Sequence, residues 1–363
     1  MNNLVQAKKR RIEYLDFAKT LAIFCVILCH CIEKIYYYDV SIYQYFSNFS
    51  KIFSSFCFVI GRCGVPFFLF VSGALLINKR IDTYDEYKKF IKNNFLMLFL
   101  ATEIWIIIYN IFLFLIDAKR FDFIYLMKSM LFFKQLPLMN MWYMPMILGI
   151  YLVIPFVAKA IKGFENSKAL ILVGFISIIS NMLVPTVNFI FTGLNLENVV
   201  FYINAGFLGG FVGIYLVTGY LSDKGVFRSI SLLKLVCTSI IALGICVWIQ
   251  CFALKYNCGY IWYDCIFLYV CTVCLFETFK RIRFDKIPYI IRNVIQKISK
   301  YSLALYFIHI IIVMIIGKYI ILFEIPSIVR FIILFISTIV FSFALIEGLS
   351  TVGFVKKIIL HIS

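Results

Sequence analysis

Stretches of about twenty mostly apolar residues recur from one end of this chain to the other, and no water-soluble fold absorbs that many. An α-helix rises about 1.5 Å per residue, so about 20 apolar residues cover the roughly 30 Å hydrocarbon core of a bilayer. Ten segments qualify: 14–35, 53–78, 93–116, 142–158, 169–187, 201–221, 235–254, 261–279, 302–322 and 329–349. In lipid the backbone must satisfy its own hydrogen bonds, so such runs read as helices. The expectation is an all-α, polytopic membrane protein with about ten transmembrane helices; the fourth and fifth runs are short, and their edges are soft. Composition agrees. Of 363 residues, 63% are apolar and 15% charged, where a soluble domain carries about 25% charged residues. Residues 1–363 therefore read as a single membrane-embedded domain, with no soluble C-terminal domain expected.

The formal net charge of +17 would point to nucleic acid in a soluble protein. Here the basic residues sit in short runs between apolar stretches, as the positive-inside rule requires, so membrane lipid is the expected partner and nucleic acid is not. Assigned to alternate sides, the N-tail, the even-numbered connections and the C-tail hold 24 Lys and Arg, and the opposite side holds nine. That bias puts both termini in the cytoplasm of a multi-pass protein of the cell (inner or plasma) membrane. The first apolar segment carries Asp16 and Lys19, is long enough to span and lacks a small-x-small exit site. It reads as a signal anchor rather than a cleaved leader. Residues 117–141 are amphipathic and aromatic-rich, and are expected along the outer interface, leading into the interfacial pair Trp142 and Tyr143. Residues 280–300 place seven basic residues among apolar ones. A helix lying on the anionic inner leaflet and a site for a cytoplasmic phosphate-bearing ligand both fit that pattern. Nearly all of the twelve cysteines fall inside apolar stretches and read as small buried hydrophobes. Cys271 and Cys274 have no second pair, so no metal site is expected, whereas Cys251 and Cys258 flank a short outer loop where a disulfide is conceivable.

Ionisable groups deep in a span are costly and mark function. Asp264, Glu277 and Glu347 fall within about a turn of a membrane surface and are expected to snorkel. The first span is different. Lys19 and His30 are eleven residues apart, which at about 100° per residue returns to nearly the same face, about 16 Å along the axis. Asp16, three before Lys19, and Glu33, three after His30, join that face. One helix face thus offers a cation near the cytoplasm and an imidazole–carboxylate pair in the outer half, an arrangement suited to a group passed through the membrane. Arg62 is expected at a depth close to that of His30, in the string Arg62-Cys-Gly-Val-Pro-Phe-Phe-Leu-Phe-Val-Ser-Gly73. Pro66 kinks the helix there, and Ser72 with Gly73 permits close helix approach. Spacing leaves two readings of Arg62: a pairing with Glu103 in the third span, or a part in the chemistry.

These strings together resemble the acyltransferase-three family, integral-membrane proteins that O-acylate polysaccharides, lipids and other extracytoplasmic acceptors. Arg11 through Asp16 and Lys19 to His30 looks like the family's first-span signature. Arg62 through Val65-Pro66-Phe67-Phe68 to Ser72-Gly73 looks like its second span. Trp142-Tyr143 with Tyr151 and Pro155, Gly219-Tyr220, and Leu305-Tyr306-Phe307-Ile308-His309 look like three later motifs, all in the right order. Two positions depart: Lys19 stands where the family usually has Arg, and Lys88, Lys89 and Lys92 replace an Arg-rich cluster. Lysine keeps the charge but loses the bidentate fork that grips phosphate.

The resemblance implies an O-acyltransferase, most simply an acetyltransferase, that draws on cytoplasmic acetyl-CoA or another acyl-CoA as donor. Its acceptor would be a hydroxyl of an extracytoplasmic glycan or lipid-linked sugar, with no bound cofactor. His30 would be the general base or a covalent acyl relay, and Glu33 would orient it. Asp16, Lys19 and Arg62 would line the donor channel, with Glu103, Trp142, Tyr143 and His309 as further candidates; for His309, expected near the cytoplasm, a hydrogen bond between spans is the simpler role. The periplasmic hydrolase-like domain of some relatives is not expected, since the chain ends just after its tenth span. A transporter or flippase of a glycan or lipid intermediate is the competing class, because buried charges and broken helices suit it equally.

Overall fold

The computed structural model describes residues 13–37, 44–79, 81–116, 122–163, 168–203, 210–360 and 362, and among them every regular element is helical. Eight helical stretches are long and apolar enough to cross a membrane: Glu13–Tyr36, Asn48–Leu76, Tyr84–Ile116, Met139–Gly163, Leu172–Gly193, Leu232–Tyr256, Tyr289–Ile320 and Ser327–Leu349. Each coincides with an expected span. The other two, expected at 201–221 and 261–279, are the shorter helices Phe211–Asp223 and Ile266–Lys280, of 13 and 15 residues. At about 1.5 Å per residue these cover only about 20 Å. The apolar run before the second of them is loop because side chains satisfy its backbone. The Ile261 N–H donates to Gln250 Oε1 at 2.9 Å and the Ile266 N–H to Thr186 Oγ1 at 2.9 Å. Residues 204–209 of the other expected span, and the basic residues 8–11 of the N-tail, lie outside the described residues.

The helices that position the site are α1 (Glu13–Tyr36), α2 (Asn48–Arg62), α3 (Gly64–Leu76), α4 (Met97–Ile116), α5 (Tyr143–Gly163), α6 (Lys168–Ile178), α7 (Val184–Gly193), α8 (Phe211–Asp223), α9 (Leu232–Tyr256), α10 (Ile266–Lys280), α11 (Tyr289–Ile320) and α12 (Ser327–Leu349). Helix α1 is central, packed on α2, α3, α11 and α12. Of its apolar window 67% is buried inside the bundle, against 11% for Leu172–Gly193, which lies at the rim. A helix carrying Asp16, Lys19, His30 and Glu33 belongs in the middle, where other helices rather than lipid surround its polar groups.

Glycine lets that centre close. A Cβ on Gly61 would lie 2.7 Å from Cys29 Cβ, and one on Gly64 would lie 2.7 Å from the Ala22 carbonyl oxygen. These two glycines bracket Arg62, so the closest approach of α2–α3 to α1 occurs where the guanidinium must reach across. Pro66, lacking an N–H, cannot bond the Arg62 carbonyl, and the helix breaks at Cys63 between α2 and α3. Helix α3 meets α8 as tightly: a Cβ on Gly219 would lie 2.2 Å from the Phe70 carbonyl oxygen.

Two surface expectations change. Residues 289–300 do not form a separate helix on a leaflet; they are the first turns of α11, one 32-residue helix that continues into the membrane. Tyr289, Ile290, Ile291 and Val294 are exposed along it. Glu277 does not snorkel. It is buried, accepts a hydrogen bond from Ser222 and lies 3.7 Å from Lys280. Glu347 does reach the surface, where it pairs with the exposed Lys297 at 2.7 Å. All twelve cysteines, Cys251 and Cys258 included, are free thiols.

Candidate active site

The last turns of α1 carry a hydrogen-bonded chain. His30 Nδ1 lies 2.8 Å from Glu33 Oε2, one helical turn away. A carboxylate only accepts, so the imidazole donates from Nδ1, and in its neutral form the Nε2 lone pair is left bare. The other carboxylate oxygen of Glu33 accepts from Arg62 Nη2 at 3.3 Å and from the Cys29 thiol at 3.7 Å. His30 and Glu33 keep 19% and 34% of their side-chain surface accessible while Arg62 keeps 7%. The His30 end of the chain is therefore open and the Arg62 end closed.

Arg62 is caged by rings. Its Cζ lies 4.5 Å from the Phe58 ring centroid, 4.6 Å from that of Trp262 and 5.4 Å from that of Tyr263, and Nη1 donates to the Tyr263 hydroxyl at 3.2 Å. A guanidinium is weakly hydrated and stacks on aromatic faces, so it tolerates this burial. Trp142 stacks on Tyr263 with centroids 5.5 Å apart and lies at the same distance from Trp262. Trp142, expected at the interface, is thus a second layer of the cage. Tyr260 to Tyr263 come from the loop after α9, which ends on Asn257 in the left-handed conformation, φ 52°. The expected span 261–279 takes in Trp262 and Tyr263, whereas the helix begins at Ile266 and leaves them in a loop; the Trp262-Tyr263-Asp264 run is the signal the chain carries.

His309 lies beside His30, with ring centroids 5.4 Å apart. Hydropathy puts it near the cytoplasmic end of its expected span, 302–322. Helix α11 begins at Tyr289 instead, so His309 is 20 residues, about 30 Å, along it. Its Nδ1 donates to the Leu305 carbonyl at 2.8 Å, within its own helix rather than between spans. That bond fixes Nε2 as the acceptor nitrogen, and Nε2 is buried without a partner among the described residues.

Toward the other end of α1, Lys19 lines a cavity of about 200 Å³ with Ser72, Tyr143, Tyr151, Ser302 and Tyr306. Tyr306 joins the two levels. Its ring borders this cavity and lies 6.1 Å from that of His309, and its hydroxyl donates to the Asn140 carbonyl. Asp16 is buried and accepts from Ser299 at 2.6 Å, facing α11 and not the cavity. Arg62, grouped with Asp16 and Lys19 by sequence, sits instead with Glu33. Glu103 does not meet Arg62: it is buried in α4 with Oε1 unpartnered among the described residues.

A family model described as Acyltransferase domain, the third of the acyltransferase kind, matches residues 12–347, nearly the whole chain. The chain belongs to that family: it is a multi-pass helical membrane protein of the acyltransferase class. No curated protein and no solved structure matches it.

Proposed function

We propose that the protein is an O-acyltransferase of the cell membrane that moves an acyl group, most simply acetyl, from cytoplasmic acyl-CoA to a hydroxyl of an extracytoplasmic glycan or lipid-linked sugar. The observation that carries this reading is the Arg62–Glu33–His30 chain, which leaves a bare imidazole nitrogen beyond a cavity holding Lys19. The 24-to-nine basic bias supports placing the Lys19 end in the cytoplasm and the His30 end outside. The donor then enters where a cation meets its phosphates, and the acceptor meets the base from the other side.

The step is an acyl transfer. The acceptor hydroxyl oxygen attacks the thioester carbonyl carbon and its proton passes to His30 Nε2. The C–S bond breaks, the ester forms, and the thiolate leaves as CoA after taking a proton. A hydroxyl is barely ionised at neutral pH, so the step needs a base within hydrogen-bond reach. Glu33 holds the ring with Nε2 forward and stabilises the imidazolium, and Arg62 holds Glu33.

Purified protein in lipid nanodiscs with labelled acetyl-CoA and an envelope glycan extract tests this. His30→Ala and His30→Gln should both abolish label transfer at wild-type yield, since glutamine has no usable basicity. An active Gln variant removes His30 from the chemistry. Movement of an unmodified lipid without CoA release replaces the enzyme reading with a transporter.

A further inference from the structure

Helix α11 sets a second imidazole directly against the candidate base. The rings of His309 and His30 lie 5.4 Å apart between centroids, with their planes inclined by 31°. Their surroundings differ: the His30 side chain keeps 19% of its surface accessible, whereas His309 is 0% exposed. His309 Nδ1 donates to the Leu305 carbonyl at 2.8 Å, so Nε2 of the neutral ring can only accept. That atom is buried without a partner among the described residues. The neighbouring Tyr306 does not supply a donor, because its hydroxyl is committed to the Asn140 carbonyl. A buried acceptor without a donor is costly, and the ring beside it is the group that can relieve it.

Neutral His30 donates from Nδ1 to Glu33 and carries a lone pair on Nε2, so the two Nε2 atoms are both acceptors and do not bond. Taking a proton changes this, because an imidazolium has two N–H donors. Glu33 accepts one of them. The other loses its partner as the attacking oxygen bonds to the acyl carbon. We infer that His309 is a positioning residue for this step, its Nε2 receiving the Nε2–H of protonated His30. The inference rests on the acyltransferase reading and adds the second residue that holds the imidazolium. At this separation the rings are within reach of one N–H···N bond, which spans about 3 Å between nitrogens. The proton stays on His30 until the departing thiolate collects it, and His309 neither gains nor loses one. A hydrogen bond present in the reacting state and absent from the ground state accelerates the step without tightening substrate binding. The other ionisable groups around His30 are Glu33 and Cys29 on α1, Arg62 on α2 and Tyr263 from the loop before α10. Helix α3 carries none, and the charged residues of α12, Arg330 and Glu347, lie in its first and last turns.

The test uses the full chain in nanodiscs with labelled acetyl-CoA and the envelope glycan extract, reading single-turnover rates between about pH 5 and 8. His309→Phe keeps a ring and removes the acceptor. Its rate should fall at least about tenfold with the KM for acetyl-CoA unchanged. The rise of rate with pH should also move at least about half a unit lower, because an imidazolium with one partner fewer gives up its proton more easily. His309→Gln, whose carbonyl oxygen accepts in place of Nε2, should recover the rate to within about threefold and return the pH limb. His309→Leu repeats the measurement where the Phe variant does not elute as a monodisperse species. A Phe or Leu variant at the wild-type rate with an unmoved pH limb overturns the inference, and so does a Gln variant as slow as Phe. In either case an inactive His30→Gln leaves the acyltransferase reading standing, whereas an active His30→Gln overturns both.

Discussion

Glu33→Gln isolates the hydrogen bond on which the proposed chemistry depends. The substitution is nearly isosteric, so packing at the end of α1 is preserved and the charge alone is removed. In the wild type, Glu33 Oε2 accepts from His30 Nδ1 at 2.8 Å, and this bond strengthens when the ring becomes imidazolium in the transition state. Hydrogen bonds with a charged partner contribute about 1.5–3 kcal/mol and neutral ones about 0.5–1.5. The expected loss of transition-state stabilisation is therefore about 1–2 kcal/mol, which is roughly 5- to 30-fold in kcat. A glutamine that instead donates its amide to Nδ1 imposes the wrong tautomer, and the loss then approaches the roughly 10⁴-fold of a triad lacking its acid. Stability should fall as well, because Arg62 keeps only 7% of its side-chain surface accessible and loses its carboxylate partner at 3.3 Å. Arg62 keeps the Tyr263 hydroxyl at 3.2 Å and the faces of Phe58 and Trp262. Single-turnover rates with saturating acetyl-CoA, alongside thermal unfolding in the same nanodiscs, give both quantities. A Gln variant with kcat within threefold of wild type at unchanged donor KM would refute the idea that Glu33 orients His30.

Three further outcomes are expected. Lys19→Ala should raise the KM for acetyl-CoA at least tenfold at wild-type yield while Lys19→Arg is tolerated, because Lys19 borders the cavity assigned to the donor; equal KM values would remove it from the donor site. Gly219→Ala should lower the midpoint of thermal unfolding by several degrees, since its Cβ would lie 2.2 Å from the Phe70 carbonyl oxygen and force α3 and α8 apart, at a cost of about 1–3 kcal/mol. Gly149→Ala, with nothing within 4 Å of the new Cβ, should leave that midpoint in place. A cysteine at exposed position 290, in a Cys-depleted background, should resist membrane-impermeant maleimide in intact cells and react in inverted vesicles; labelling from outside would reverse the topology.

Helical class and the pairing of His30 with Glu33 were legible in the chain because both are local. An apolar run of about 20 residues has one satisfactory conformation in lipid, and residues three apart on a helix meet whatever surrounds them. The shared depth of Arg62 and His30 was legible too, being arithmetic on a fixed rise per residue. What Arg62 touches was not. Spacing allowed Glu103 as well as a place at the chemistry, and the choice of Glu33 depends on the close approach of α2–α3 to α1 at Gly61 and Gly64. His309 was misplaced by half a span because hydropathy marks where a helix becomes apolar and not where it begins. The charged first turns of α11 shift the count, and with it the residue, to the side of His30. The aromatic cage is more remote still. Trp142, Trp262 and Tyr263 come from two connections more than a hundred residues apart, and no periodicity within either one reports that they meet. Contacts within a helix are set by the sequence, whereas contacts between helices are set by how closely their small residues let the backbones approach.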